Sequence, residues 1–210
     1  MKDPKDWELD DLKELITIHA EESSTLEFKH GWALEELSNE KKKDDISIDV
    51  SAFANRSGGI IIYGMEEDRA EPHCAKALTS IDAKKCSKER LEQIITSRIK
   101  PSIQNIGIRP IKIDTSGYAY VVIIPASHTA HQASDHRYYR RDNFGNQPME
   151  DDEIRQIMNR PIKPTYRVNI LGTPIGRELC IAGNVQNTSV MMAKDVSVVL
   201  LSPKELNSSH

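Results

Sequence analysis

Three cysteines in 210 residues, Cys74, Cys86 and Cys180, are too few and too scattered for a disulfide framework. No C-x-x-C spacing marks a zinc site, so a reducing cytoplasm is the expected compartment. Aromatic residues make up 5% of the chain. No apolar run approaches the roughly 20 residues that a membrane span requires, and the charged N-terminus does not read as a signal peptide. Excess positive charge is missing too. The formal net charge is -4 and the pI about 6.0, so any contact with a phosphate backbone has to be local. A hydrophobic content of 38% is enough for one good core with a smaller second unit.

What is present is a concentrated set of carboxylates around two short apolar runs. Glu22-Ser23-Ser24-Thr25-Leu26-Glu27-Phe28-Lys29 is followed by Ser51-Ala52-Phe53-Ala54-Asn55, and then by Gly58-Gly59-Ile60-Ile61-Ile62-Tyr63-Gly64-Met65-Glu66-Glu67. Glu22 and Glu27 are five apart, which no single helix or strand aims at one point. They converge only if Glu22 closes a helix and Glu27 lies in a strand starting near Thr25. Leu12, Leu15 and Ile16 form a helical stripe that stops before Ser23-Ser24. Beyond it, Leu26 and Phe28 alternate with Thr25, Glu27 and Lys29, giving an apolar face and a charged face. Asp44 to Asn55 reads as a helix ended by Arg56-Ser57-Gly58-Gly59. Ile60 to Tyr63 reads as a strand covered on both faces, with Glu66, Glu67 and Asp68 at its carboxyl end.

Further along, Leu91, Ile94, Ile95 and Ile99 mark a helix with Ser87 as N-cap and Pro101 after its end. Ile108 to Asp114 and Tyr118 to Ile124 read as a hairpin. Asp151-Asp152-Glu153 opens a last helix, with acidic residues where the helix dipole favours them. The expected class is α+β, a mixed β-sheet with flanking helices, over residues 1–160. After Pro161 and Pro164 three strands are expected: Tyr166 to Leu171, Glu178 to Val185 and Asp195 to Leu201. With Gly183-Asn184-Val185-Gln186-Asn187 they resemble the start of an immunoglobulin-like sandwich across 161–210. Such a sandwich needs about seven strands, so the chain is expected to be a fragment, the alternative being a sheet completed elsewhere.

The order E-S-x-x-x-E-F-K, S-A-F-A-N and G-G-x-x-x-x-G-x-x-[DE] resembles the Schlafen core, the AlbA-type nucleic-acid-binding domain. Ile123-Ile124-Pro125-Ala126-Ser127, Tyr138-Tyr139-Arg140-Arg141 and Pro148-Met149 continue the likeness, which spans about residues 7–160. In members that cut RNA, two glutamates of the first motif and an aspartate after the G-G strand are metal-binding catalytic carboxylates. The resemblance places them on Glu22, Glu27 and Glu67, the last a glutamate where the nuclease pattern has aspartate. It implies Mg²⁺ or Mn²⁺ as the ion. The alternative for Glu22 and Glu27 is structural ion pairing with Lys29 or an arginine.

Two basic clusters are candidates for phosphate. Lys41-Lys42-Lys43 reads as a solvated loop. His136 to Arg141 alternates as a strand would, with Arg137, Tyr139 and Arg141 on one face and Tyr138 and Arg140 on the other. A ring beside a guanidinium stacks on a base while the cation meets phosphate. Lys29, Arg137, Tyr139, Arg140 and Arg141 are therefore the nucleic-acid-binding candidates, the alternative being an edge strand with aromatic packing. His128, His131 and His136 with Asp135 fit no common zinc spacing, and His73-Cys74 with Cys86 is a weaker grouping still. Arg56-Ser57-Gly58-Gly59 lacks the G-K-[ST] of a P-loop, so no ATP is expected. The functions in contention are a nucleic-acid-binding regulatory module, RNA or DNA, then a metal-dependent endoribonuclease, then an interaction scaffold.

Overall fold

In a computed structural model of the chain, residues 2–115, 117–160, 166–175 and 178–188 are described. The chain divides into two compact units, Met1–Arg160 and Pro161–His210. In the first unit, α1 (Leu9–Thr17) is followed by β1 (Leu26–Lys29), α2 (Glu40–Asn55) and β2 (Gly58–Tyr63). β1 and β2 pair in parallel, with Glu27 opposite Ile61 and Lys29 opposite Tyr63. A parallel pair needs a crossover, and α2 supplies it.

A hairpin of β3 (Met65–Glu67) and β4 (Ala75–Leu78) comes next, then β5 (Ile81–Asp82) and α3 (Lys88–Arg98). β6 (Gly107–Lys112) and β7 (Gly117–Pro125) form the expected antiparallel hairpin. β7 runs antiparallel to β2 along residues 120–125 and to β5 at 117–118. β6 spans residues 118–123 of β7, overlapping both, so β2 and β5 must share the opposite edge. The sheet is mixed, as its class requires.

Its two faces carry different cores because side chains alternate along each strand. Ile61, Tyr63, Tyr120 and Val122 pack under α2 and α3, against Val50, Phe53, Leu91 and Ile95. Phe28, Ile62, Ala119 and Val121 face α1, Trp7, Met65 and Ala75. Burying a strand on both faces explains the unbroken apolar run at Ile60–Tyr63. Gly59 has no alternative there: at φ +149 its added Cβ would lie 2.4 Å from the Thr25 carbonyl and 2.7 Å from the Phe53 ring.

The unit closes with the hairpin β8 (Tyr139–Arg141) and β9 (Asn146–Pro148) and helix α4 (Asp151–Met158). The strand expected over His136–Arg141 is therefore confined to its last three residues. His136, at φ +66, breaks the extended backbone just before it. In the second unit, β10 (Tyr166–Ile175) and β11 (Glu178–Asn187) form an antiparallel hairpin. The third strand expected there, Asp195–Leu201, lies outside the described residues.

Candidate functional site

Glu22 does not close α1, which ends at Thr17; it sits in the connection that leads into β1. Its backbone N–H donates to the His73 carbonyl at 2.8 Å, and the neighbouring Glu21 bridges to Cys74. These contacts tie the connection to the loop of the β3–β4 hairpin. The Glu22 side chain then folds back to accept the Phe28 N–H at Oε1, 2.7 Å, while Oε2 lies 3.2 Å from His73 Nδ1. Glu67, at the end of β3, places its Oε2 3.5 Å from the same ring nitrogen.

One donor atom from each of Glu22, Glu67 and His73 falls within 4.8 Å of the other two. His73 is held from outside by Phe144, whose ring stacks on it at 4.2 Å and 15°. Burial pushes the Glu22 carboxyl above its ordinary range; the Phe28 hydrogen bond opposes the rise and the charges of Glu27 and Glu67 add to it. A buried carboxylate facing two like charges gains from a cation placed among them. The donor set is two carboxylates and an imidazole. Oxygen donors suit Mg²⁺ and Mn²⁺ alike, and an imidazole nitrogen adds a donor that transition ions accept. The residues fit a divalent metal.

Glu27 faces the other way. Strand alternation puts it and Lys29 on the α2 side of the sheet, where Lys29 Nζ lies 2.5 Å from Glu27 Oε1 and 3.2 Å from Asp49 Oδ2. Arg141 Nη1 lies 2.7 Å from Glu27 Oε2. That second approach is charge attraction outside hydrogen-bonding geometry, and Glu27 Oε2 and Arg141 Nε are both buried without a hydrogen-bond partner. Burial would lower the Lys29 ammonium, yet Asp49 and Glu27 together raise it above its ordinary range. Asp49 is pushed up to about 7 by burial, against the pull of Lys29.

The charged face of β1 is thus a buried ionic cluster. Lys29 is committed within it, and so is Arg141, which is 1% exposed and lies over the Phe53 ring at 5.0 Å. Tyr139 is also buried, its hydroxyl donating to Asp135 at 2.6 Å. Tyr139 and Arg141 share a face, as their alternation requires, but that face points into the protein. Arg137 is exposed, and Arg140 is half-buried with Nη1 2.7 Å from Glu153 Oε2.

His73 is a site residue that the sequence offered only in a weak grouping with Cys74 and Cys86, not with the carboxylates. It stands six residues beyond Glu67, at φ +70, in a loop. Only the hairpin brings it back to Glu22 and Glu67. The other histidines considered for metal, His128, His131 and His136, are elsewhere. His131 is buried, with its ring nitrogens 2.7 Å from the Pro101 carbonyl and the Ser127 hydroxyl.

A mixed sheet sandwiched between helices, with two carboxylates and an imidazole gathered between the connection into β1 and the β3–β4 hairpin, defines an α+β domain with a candidate metal centre. Residues 22–150 match the family described as Schlafen, AlbA_2. The chain belongs to that family, and membership points to a nucleic-acid-related function. Among solved structures, the DIP2311 protein from Corynebacterium diphtheriae is similar at 16% identity with a TM-score of 0.48. The similarity covers 77% of this chain and 34% of that one, so this chain spans about a third of the other's length. No curated protein matches. Among the described residues, no helix is long and apolar enough to cross a membrane.

Proposed function

We propose that the first unit is a nucleic-acid-binding regulatory module in which Glu22, Glu67 and His73 hold one divalent cation against a phosphate of the bound strand. The observation that carries this reading is the convergence of two carboxylates and an imidazole on one point, in a chain of net charge -4. An acidic protein needs a bridging cation wherever a phosphate approaches its carboxylates. Glu67 and His73 are partly exposed, 42% and 37% at the side chain, which leaves that side of the cluster open to a ligand. Exposed Arg137 and half-buried Arg140 supply further local charge.

A second reading, metal-dependent cleavage of RNA at the same residues, draws on the imidazole, a group able to carry a proton beside the carboxylates. A bound ion would polarise the phosphodiester and lower the pKa of water. Glu22, fixed by the Phe28 N–H, orients the site, and Phe144 holds the imidazole plane. The glutamate at 67 places one more methylene between backbone and carboxylate than the aspartate of the nuclease pattern, which loosens the geometry that catalysis demands more than binding does.

The deciding experiment incubates labelled structured RNA with the purified chain in Mn²⁺, with and without EDTA. Retention that falls with EDTA and in Glu67→Gln supports the metal-bridged module. Cleavage lost under the same two conditions supports the nuclease. RNA retention unchanged by both removes the metal from either reading, and no retention at all removes the nucleic acid.

A further inference from the structure

At the carboxyl ends of the parallel strands β1 and β2, on the α2 side of the sheet, a cavity of about 260 Å³ opens between the helix and the 3-10 turn Gly31–Leu34. Its principal polar and aromatic walls are Lys29, Trp32, Lys42, Asp45, Asp49 and Tyr63. Crevices at the carboxyl ends of parallel strands are where open α/β sheets bind ligands, and this volume suits one ring system rather than a drug-sized molecule.

Two features inside it call for a ligand. Tyr63 is 1% exposed, yet its hydroxyl has no hydrogen-bond partner. A buried hydroxyl left unpaired is destabilising, a loss that a bound group with a donor or acceptor edge would recover. Trp32 is the second feature: a large aromatic ring 58% exposed on the rim. Lys42 holds its ammonium 4.6 Å from the indole centroid while donating to the Trp32 carbonyl, so a cation already stands beside the ring. An aromatic platform, a nearby ammonium and a polar floor are the parts with which proteins hold an unstacked base and its phosphate.

We propose that this cavity takes one unstacked nucleobase of a single-stranded segment, stacked on Trp32 with its hydrogen-bonding edge toward the Tyr63 hydroxyl and Asp45 and its phosphate toward Lys42. The proposal rests on the nucleic-acid reading above and assigns that reading a base-binding subsite. Lys29, which lines the cavity, is anchored there by its pairs with Glu27 and Asp49. Carboxylate at the rim favours a base with an exocyclic amino group, adenine, cytosine or guanine, over uracil, whose edge offers one N3–H donor between two carbonyl oxygens that a carboxylate repels.

The test uses a short single-stranded RNA and a series of the same RNA with one abasic residue moved along it, titrated against the chain and against Trp32→Ala. One abasic position is expected to weaken binding roughly fivefold or more, as loss of one stacked base does, and that penalty should vanish in Trp32→Ala and persist in Trp32→Phe. Uracil at that position should bind more weakly than adenine, and Asp45→Asn should narrow the difference. Trp32 is exposed enough that its alanine variant keeps the fold, which circular dichroism checks. RNA binding with no sensitive position, or a penalty unchanged in Trp32→Ala, overturns the subsite and leaves the nucleic-acid reading standing. Equal binding of uracil and adenine overturns the edge assignment. Failure of the parent RNA to bind at all overturns subsite and reading together.

Discussion

Arg141 and Glu27 face each other inside the protein, Nη1 to Oε2 at 2.7 Å, with 1% and 7% of their side chains exposed. Both came from the sequence as candidates for chemistry, one for phosphate and one for metal. Their pairing gives each a structural task and separates neighbours that look alike on paper. Arg140, one residue earlier, pairs with Glu153 near the surface at 28% exposure. Arg141→Ala should lose about 3–5 kcal/mol, the range for stranding one partner of a buried ion pair. Arg140→Ala should lose about 0–1 kcal/mol. Urea unfolding of the two variants measures the contrast, and equal midpoints would show that the Arg141 pair does not hold the fold.

Legibility in the sequence followed periodicity. The helix carrying Phe53, the buried strand after Gly58-Gly59, the Ser87 cap and the β6–β7 hairpin are all local patterns, and the structure has them. The Ser87 hydroxyl accepts the Arg90 N–H at 3.3 Å, as an N-cap should. The charged face of β1 left two readings open, because alternation tells which residues share a face and not whether solvent lies beyond it; Glu27 pairs with Lys29 and an arginine, the alternative that the sequence offered. Asp49 in mid-helix and Arg141 across a hairpin neutralise that face through contacts 22 and 114 residues from Glu27, separations that no local pattern reports. His73 could be joined to Glu22 and Glu67 only through the hairpin, for the same reason.

The Phe144 ring stacks on His73. Aromatic pairs contribute about 0.5–1.5 kcal/mol beyond burial. If His73 is a metal ligand, Phe144→Ala should weaken Mn²⁺ binding by roughly two- to tenfold by calorimetry. Phe144→Tyr should restore it. Unchanged affinity in the alanine variant would mean that the imidazole is either held by Glu22 alone or is not a ligand.

The ionic cluster also sets a pH dependence. Asp49 has its folded-state pKa pushed up to about 7 from an ordinary 3.8, first by burial and then by the charge of Glu27, against the pull of Lys29 and Arg141. The folded protein therefore binds this proton more readily than the unfolded chain does. Between about pH 4 and 7 that preference favours folding at the acid end and is lost as pH rises through the folded pKa. Asp49→Asn removes the titration. Its stability should vary less across this window than the parent's, read as melting temperature at closely spaced pH values. Parallel curves for the two proteins would refute the assignment.

Gly59 tests the packing of the two motifs against each other. Its φ of +149 is one that L side chains rarely adopt, and an added methyl would meet the Thr25 carbonyl and the Phe53 ring. Gly59→Ala should cost about 2 kcal/mol or more from backbone strain and overpacking. Gly145, with nothing within 4 Å of an added Cβ, is the control. Gly145→Ala should leave the urea midpoint almost unchanged, and similar losses at both positions would show that the contact at Gly59 is not what matters.

The final prediction turns on which carboxylate reports on chemistry. Glu27→Gln leaves Lys29 and Arg141 facing a neutral amide inside the protein, so any loss of metal or RNA binding in that variant mixes with a loss of fold of about 3–5 kcal/mol. Glu67 is 42% exposed and, among the described residues, its ion pair is with His73, at 3.5 Å. Glu67→Gln should therefore keep the parent's unfolding midpoint while weakening Mn²⁺ binding roughly tenfold or more. Glu67→Asp should keep the charge, leave RNA affinity unchanged, and preserve or raise any metal-dependent cleavage, since the shorter arm is the one the nuclease pattern carries. Mn²⁺ affinity unchanged in Glu67→Gln, with the fold intact, would remove Glu67 from the site and leave Glu22 and His73 as a structural pair.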